Sequence, residues 1–128
     1  MTIELTMLVY SVALLVIVIA VQATAGILAQ GLAAMAGSRD NLGEPSQFQE
    51  RSKRVAENHK EGLLLFAPLV LIAAVAGIST ELTVLGAQLF FSSRVAHAII
   101  YFAGWPWIRP VAWAVGFVGT LMILFALL

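Results

Sequence analysis

Between Glu4 and Arg39 the chain carries not one charged residue. A soluble fold would have to bury such a run on every side, whereas roughly 20 apolar residues of helix are what a ~30 Å hydrocarbon core requires. The run also exceeds the roughly 7–15-residue apolar core of a secretory signal, and no Lys or Arg precedes it. It predicts a first transmembrane helix over residues 5–35. Composition agrees: 61% of the 128 residues are apolar and 11% charged, against about 45–50% and 25% in soluble domains. A formal net charge of zero and the lack of any nucleic-acid motif exclude nucleic acid as a partner.

The rest of the chain divides in the same way. The stretch AGSRDNLGEPSQFQE, residues 36–50, gathers Gly, Ser, Asp, Asn and Pro and reads as a loop. Ser46 with Gln49 three residues later resembles a capping box and starts a second helix, 46–78, which contains Pro68. Within a membrane such a proline kinks the helix or serves packing. A polar break at Ser79–Thr80–Glu81 leads to a third helix, 82–103, antiparallel to the second. The turn GWPWIRP, 104–110, precedes a fourth helix, 111–128. Tyr101, Trp105, Trp107 and Trp113 read as an interfacial aromatic belt, and Gln22, Gly26, Gln30 and Gly31 as a close-packing face of helix one.

The expected fold is therefore an all-α membrane protein, one domain over residues 1–128 built as a four-transmembrane-helix bundle. Arg39, Arg51, Lys53, Arg54 and Lys60 cluster at the first loop, Arg109 lies in the third, and the other side has no Lys or Arg. The positive-inside rule then places loops 1 and 3 in the cytoplasm and both termini opposite. No internal repeat points to an inverted-repeat transporter.

Two polar stripes cross this apolar background. Arg51, Arg54, Asn58 and Glu61 follow one another at spacings of three, four and three, within roughly 80° of one helix face. Arg94, His97 and Tyr101, spaced three and four, share about 60° of helix three. An arginine inside a span costs from about 2.5 kcal/mol upward, so Arg94 must face protein or trapped water, with Glu61 as a candidate partner. One reading has Arg94 snorkelling to the interface while His97 and Tyr101 tie helices together. The other, favoured by the number of groups assembled, is a site for an elongated ligand bearing carboxylates and an ammonium group. Two histidines and no cysteine form no metal-ligand spacing, and any reactive thiol must arrive with a ligand.

The series Arg51-x-x-Arg54-x-x-x-Asn58-x-x-Glu61, then Pro68, Arg94-Val95-Ala96-His97-x-x-x-Tyr101 and Arg109 resembles the MAPEG family, membrane-associated proteins in eicosanoid and glutathione metabolism. Gly37-Ser38-Arg39-Asp40 and the segment from Arg94 onward look most similar to its bacterial members, which implies a bacterial inner membrane. The resemblance implies a homotrimer with glutathione as co-substrate, bound between subunits on the cytoplasmic side. Carried over by position, Arg51, Arg54, Asn58, Glu61, Arg94, His97 and Tyr101 would contact glutathione, and Arg109 would assist its thiol as the catalytic group. The implied activity is transferase or peroxidase chemistry on a lipophilic small-molecule substrate taken from the membrane lipids. Two departures stand out. The family's eukaryotic enzymes carry an arginine near the end of helix one, where this chain has Gln30, and Pro110 and Trp113 replace a serine and a tyrosine of the prostaglandin synthase. They favour the alternative, a non-catalytic membrane binding or scaffold protein that retains the fold.

Overall fold

The computed structural model describes residues 1–128. It contains five helices: α1 (Ile3–Gln30), α2 (Leu32–Ala36), α3 (Gln47–Ala76), α4 (Glu81–Ala103) and α5 (Ile108–Leu127). Four of them, all but α2, are long and apolar enough to cross a membrane, and the chain is a multi-pass integral membrane protein.

Local chemistry sets each boundary. Thr2 accepts a hydrogen bond from the Leu5 amide at the start of α1. Ser46 and Gln49 form the full capping box of α3, and Thr80 and Thr83 form a second one at α4, each satisfying amides that the first turn leaves free. Gly77 and Gly104 close α3 and α4 in the left-handed region, at φ 70° and 75°, where a side chain would be strained.

Two expected boundaries move. Helix one does not run to residue 35: Gly31, at φ 91° and ψ 151°, ends α1, and α2 begins after it. Gly31 is thus a breaking point and not part of a packing face. Gly26 does pack closely, since a Cβ there would lie 2.7 Å from Met35 Cε. The last helix starts at Ile108, three residues before the expected 111, so Arg109 and Pro110 sit in its first turn. A proline is tolerated there because first-turn amides have no partner within the helix. Trp107 makes the reversal possible: its φ is 72°, and the Ile108 amide bonds back to the Pro106 carbonyl at 2.8 Å, a strained γ-turn.

Only 27 of the 128 residues are buried, so most of the apolar surface is left for lipid or for other copies of the chain. The main core joins Leu63, Phe66 and Val70 of α3 to Ala87 and Phe90 of α4 and Ile123 of α5. Phe66 and Phe90 stack with centroids 3.9 Å apart. On α1 the buried positions Glu4, Ser11, Val18 and Ala25 recur every seven residues, a narrow seam of the kind that a slightly tilted helix presents to its neighbours.

Helices α4 and α5 approach most closely. A Cβ on Gly119 would lie 2.5 Å from the Gly86 carbonyl oxygen, and one on Gly86 would lie 2.6 Å from that of Gly119. Within a membrane such close packing holds helices together because lipid offers them no hydrophobic drive to associate. Gly119→Ala must push the two backbones apart, at a cost of about 1–3 kcal/mol. Its midpoint of thermal unfolding in detergent should fall clearly below wild type, whereas Ala114→Leu on the exposed face of α5, which keeps a strong helix former, should change it far less.

Candidate functional site

The polar stripes of α3 and α4 meet the start of α5 along one groove, composed of three adjoining cavities. The outer cavity, about 550 Å³, lies among Gln47, Glu50, Arg51, Arg54, Tyr101, the 104–107 turn and Arg109. A middle cavity of about 350 Å³ shares Arg54, Tyr101 and Arg109 with it and adds Asn58, His97 and Trp113. Trp113 also borders the inner cavity, about 270 Å³, where Glu61 and Arg94 meet an apolar wall including Leu64, Leu65, Phe90 and Phe117. All eight residues singled out in the sequence line this groove, in the order of their stripes.

Each cation is held differently. Arg51, half-buried, donates from Nη1 to the Phe102 carbonyl at 3.4 Å and lies over Gly104, where a Cβ would be 2.8 Å from Nη2. Arg54 is exposed beside Tyr101 at the junction of the outer and middle cavities. Arg109 is also exposed, its guanidinium stacked over the Tyr101 ring at 4.9 Å, a geometry favourable for a cation. The imidazole of His97 is tilted against the Tyr101 ring, with centroids 5.6 Å apart.

Arg94 faces protein as expected, but with a different partner. It is 4% exposed, and its Nη1 donates to Asn58 Oδ1. The partner is Asn58 and not Glu61, which lies exposed at the edge of the inner cavity. Snorkelling is also absent, because the guanidinium stays inside, 5.8 Å from the Phe90 centroid. Gly62 and Gly116 border it, and Cβ atoms there would make ordinary contacts 3.5 Å from Nη1 and 3.4 Å from Nη2; the group that a Cβ on Gly116 would strike is the Ser93 hydroxyl. Arg94 Nε is buried and has no partner.

A family model described as MAPEG family matches residues 5–128. The chain belongs to the MAPEG family. No curated protein and no solved structure matches it.

In this MAPEG chain several residues outside the sequence-derived set shape the site. His59, 3% exposed, donates from Nε2 to the Ser11 carbonyl at 2.8 Å and ties α3 to α1. One residue past Asn58, it points roughly 120° away from the middle of the stripe, a signal present in the sequence. Glu50 adds a carboxylate to the outer cavity. Of the expected aromatic belt, Trp105 and Trp107 stand at the surface, while Trp113 and the half-buried Tyr101 border the groove.

Gln30 has a different duty from a ligand-binding arginine. Its Nε2 reaches the carbonyls of Gly43 and Glu44 and Gln49 Oε1 at 3.2, 3.2 and 3.3 Å, and its Oε1 accepts from the Gly43 amide at 2.9 Å. Gln49 belongs to the α3 capping box, so Gln30 fastens the loop and the start of the cationic helix together. Arg39 is likewise occupied outside the groove, donating to the Met35 carbonyl at 2.8 Å.

Asn58→Leu should remove Arg94's side-chain acceptor while keeping a similar volume. Leaving that buried guanidinium unbonded should cost about 1–3 kcal/mol, read as a lower unfolding midpoint. Glu61→Gln, at an exposed carboxylate, should leave the midpoint close to wild type.

Proposed function

We propose that this MAPEG protein is a glutathione-dependent transferase or peroxidase that acts on lipophilic electrophiles or lipid hydroperoxides. The observation that carries the reading is the gradient along the groove, from an outer cavity with three arginines to an inner cavity with an apolar wall. A charged tripeptide and a hydrophobic substrate can meet there while each keeps its preferred surroundings.

Glutathione offers two carboxylates, an ammonium group and a thiol. Arg51, Arg54 and Arg109 would take the carboxylates, since guanidinium groups bind them with two parallel hydrogen bonds. Glu50 would face the ammonium group, and Asn58, Glu61, His97 and Tyr101 would orient the chain of the peptide. The protein has no cysteine, so the ligand must supply the thiol. Making a thiol of pKa about 8.5 half ionised at pH 7 requires roughly 2 kcal/mol. A cation about 4 Å away contributes about 1 kcal/mol in bulk water and about 4 kcal/mol at an effective dielectric of 20. One arginine in a partly dry cavity is therefore sufficient.

In conjugation, the thiolate's electron pair forms a sulfur–carbon bond, and the displaced group leaves with the pair of the bond that breaks. In peroxide reduction, two glutathione molecules and a hydroperoxide yield glutathione disulfide, an alcohol and water. We further propose a homotrimer in a bacterial inner membrane, with the cationic end in the cytoplasm. A neighbouring copy would cover the open side of the groove and much of the apolar surface.

A ligand that binds only the folded state must stabilise it, by about 2.7 kcal/mol at a hundred times its dissociation constant. Millimolar glutathione should raise the unfolding temperature of the detergent-purified protein, and Arg54→Ala should require more glutathione for the same rise. No rise in the wild-type protein would favour the non-catalytic binding or scaffold reading.

A further inference from the structure

We infer that the outer cavity is also a binding site for the phosphate of an anionic phospholipid, whose acyl chains follow an apolar face of α5 into the bilayer. The lipid site stands on observations of its own. Only its competition with glutathione, argued below, rests on the reading above.

The first observation concerns depth. Trp105 and Trp107 both line the outer cavity and both stand at the protein surface. Indole rings settle among lipid headgroups, so the arginines of the same cavity lie at the level of the lipid phosphates. The lining carries three guanidinium groups, Arg51, Arg54 and Arg109, against one carboxylate, Glu50. Arg51 is engaged by a backbone carbonyl at 3.4 Å and Arg109 by the Tyr101 ring, and neither of these neighbours is an anion. A guanidinium fork matches phosphate oxygens as well as it matches a carboxylate. At this depth the anion always at hand is a phosphodiester of the membrane itself.

The second observation is an apolar track that starts at the mouth. Pro110 lines the outer cavity, and directly after it Val111, Val115 and Val118 are all exposed. Spaced four and three, they share about 60° of α5. Cationic mouth and apolar track thus adjoin as phosphate and acyl chain do in a lipid. The turn between them holds Trp107 at φ 72°, a strained backbone of the kind found at ligand clamps. Lys53 and Lys60 offer a contrast: both are exposed on α3, yet neither lines any cavity of the groove. They can attract an acidic membrane only diffusely. Because Arg51, Arg54 and Arg109 are also the groups assigned to the carboxylates of glutathione, lipid and tripeptide must exclude each other in the outer cavity.

The test is the unfolding midpoint of delipidated, detergent-purified protein titrated with phosphatidylglycerol in mixed micelles. Phosphatidylcholine, inorganic phosphate and the water-soluble headgroup glycerophosphoglycerol serve as comparisons. Phosphatidylglycerol should raise the midpoint saturably, and the other three should raise it far less at equal concentration. Arg51→Gln should need about tenfold more phosphatidylglycerol, the loss of one charge-assisted hydrogen bond. The double variant Lys53→Gln, Lys60→Gln should titrate close to wild type although it removes more charge. No rise with phosphatidylglycerol overturns the site, and so does an equal loss in the lysine variant, which marks diffuse attraction. A full rise with inorganic phosphate or the soluble headgroup assigns the cavity to a free anion and overturns the lipid. A second arm decides even if Arg51→Gln does not fold. In Trp113→Phe, where only Trp105 and Trp107 fluoresce, a spin label at the lipid headgroup should quench more strongly than one at the chain end, and the reverse order overturns the placement. Saturating phosphatidylglycerol should raise the glutathione concentration needed for stabilisation, and no change overturns the competition. Protein that responds to the lipid but to no concentration of glutathione keeps the lipid site and overturns the glutathione reading instead.

Discussion

The hydrogen bond from Arg94 to Asn58 joins the two stripes on which the groove is built. A guanidinium within a membrane-spanning helix has to be surrounded by protein, because hydrocarbon offers it nothing. Much of the nearby architecture follows from that need. Phe90 presents its ring, and Asn58 turns its oxygen inward. What remains is a charge that is housed but not neutralised, next to a cavity lined largely by apolar side chains.

This housing depends on the close contact of α4 and α5. Gly86 and Gly119 let the two backbones touch, and Gly116 continues the same face to the guanidinium. On the other side, His59 anchors α3 to α1 through a backbone carbonyl, and Gln30 fastens the loop ahead of α3. The groove is thus braced at its closed side and at the start of its most highly charged helix.

Much of this was legible in the sequence because helical periodicity and charge are local properties. The uncharged runs marked the spans, and spacings of three and four placed seven polar residues on two faces that the fold brings together, with Arg109 beside them. What was not legible depends on depth and rotation between helices. Asn58 and Glu61 share one stripe, and only the packing of α3 on α4 decides that Arg94 meets the amide and leaves the carboxylate exposed. Gly31 was visible as a glycine, but its role as a break follows from Gln30 being drawn to residues 43, 44 and 49. The early start of α5 likewise rests on Trp107 adopting a backbone conformation that its side chain disfavours.

That turn has a consequence for how the protein sits in its bilayer. Trp105 and Trp107 are exposed beside the mouth of the groove, and indole rings settle at the level of lipid headgroups. The opposite rim, where α3 turns into α4, offers Ser79, Thr80 and Glu81 and no tryptophan. When the bilayer thickens or thins, the mismatch is therefore absorbed at that far rim, and the opening to water keeps its height against the membrane surface.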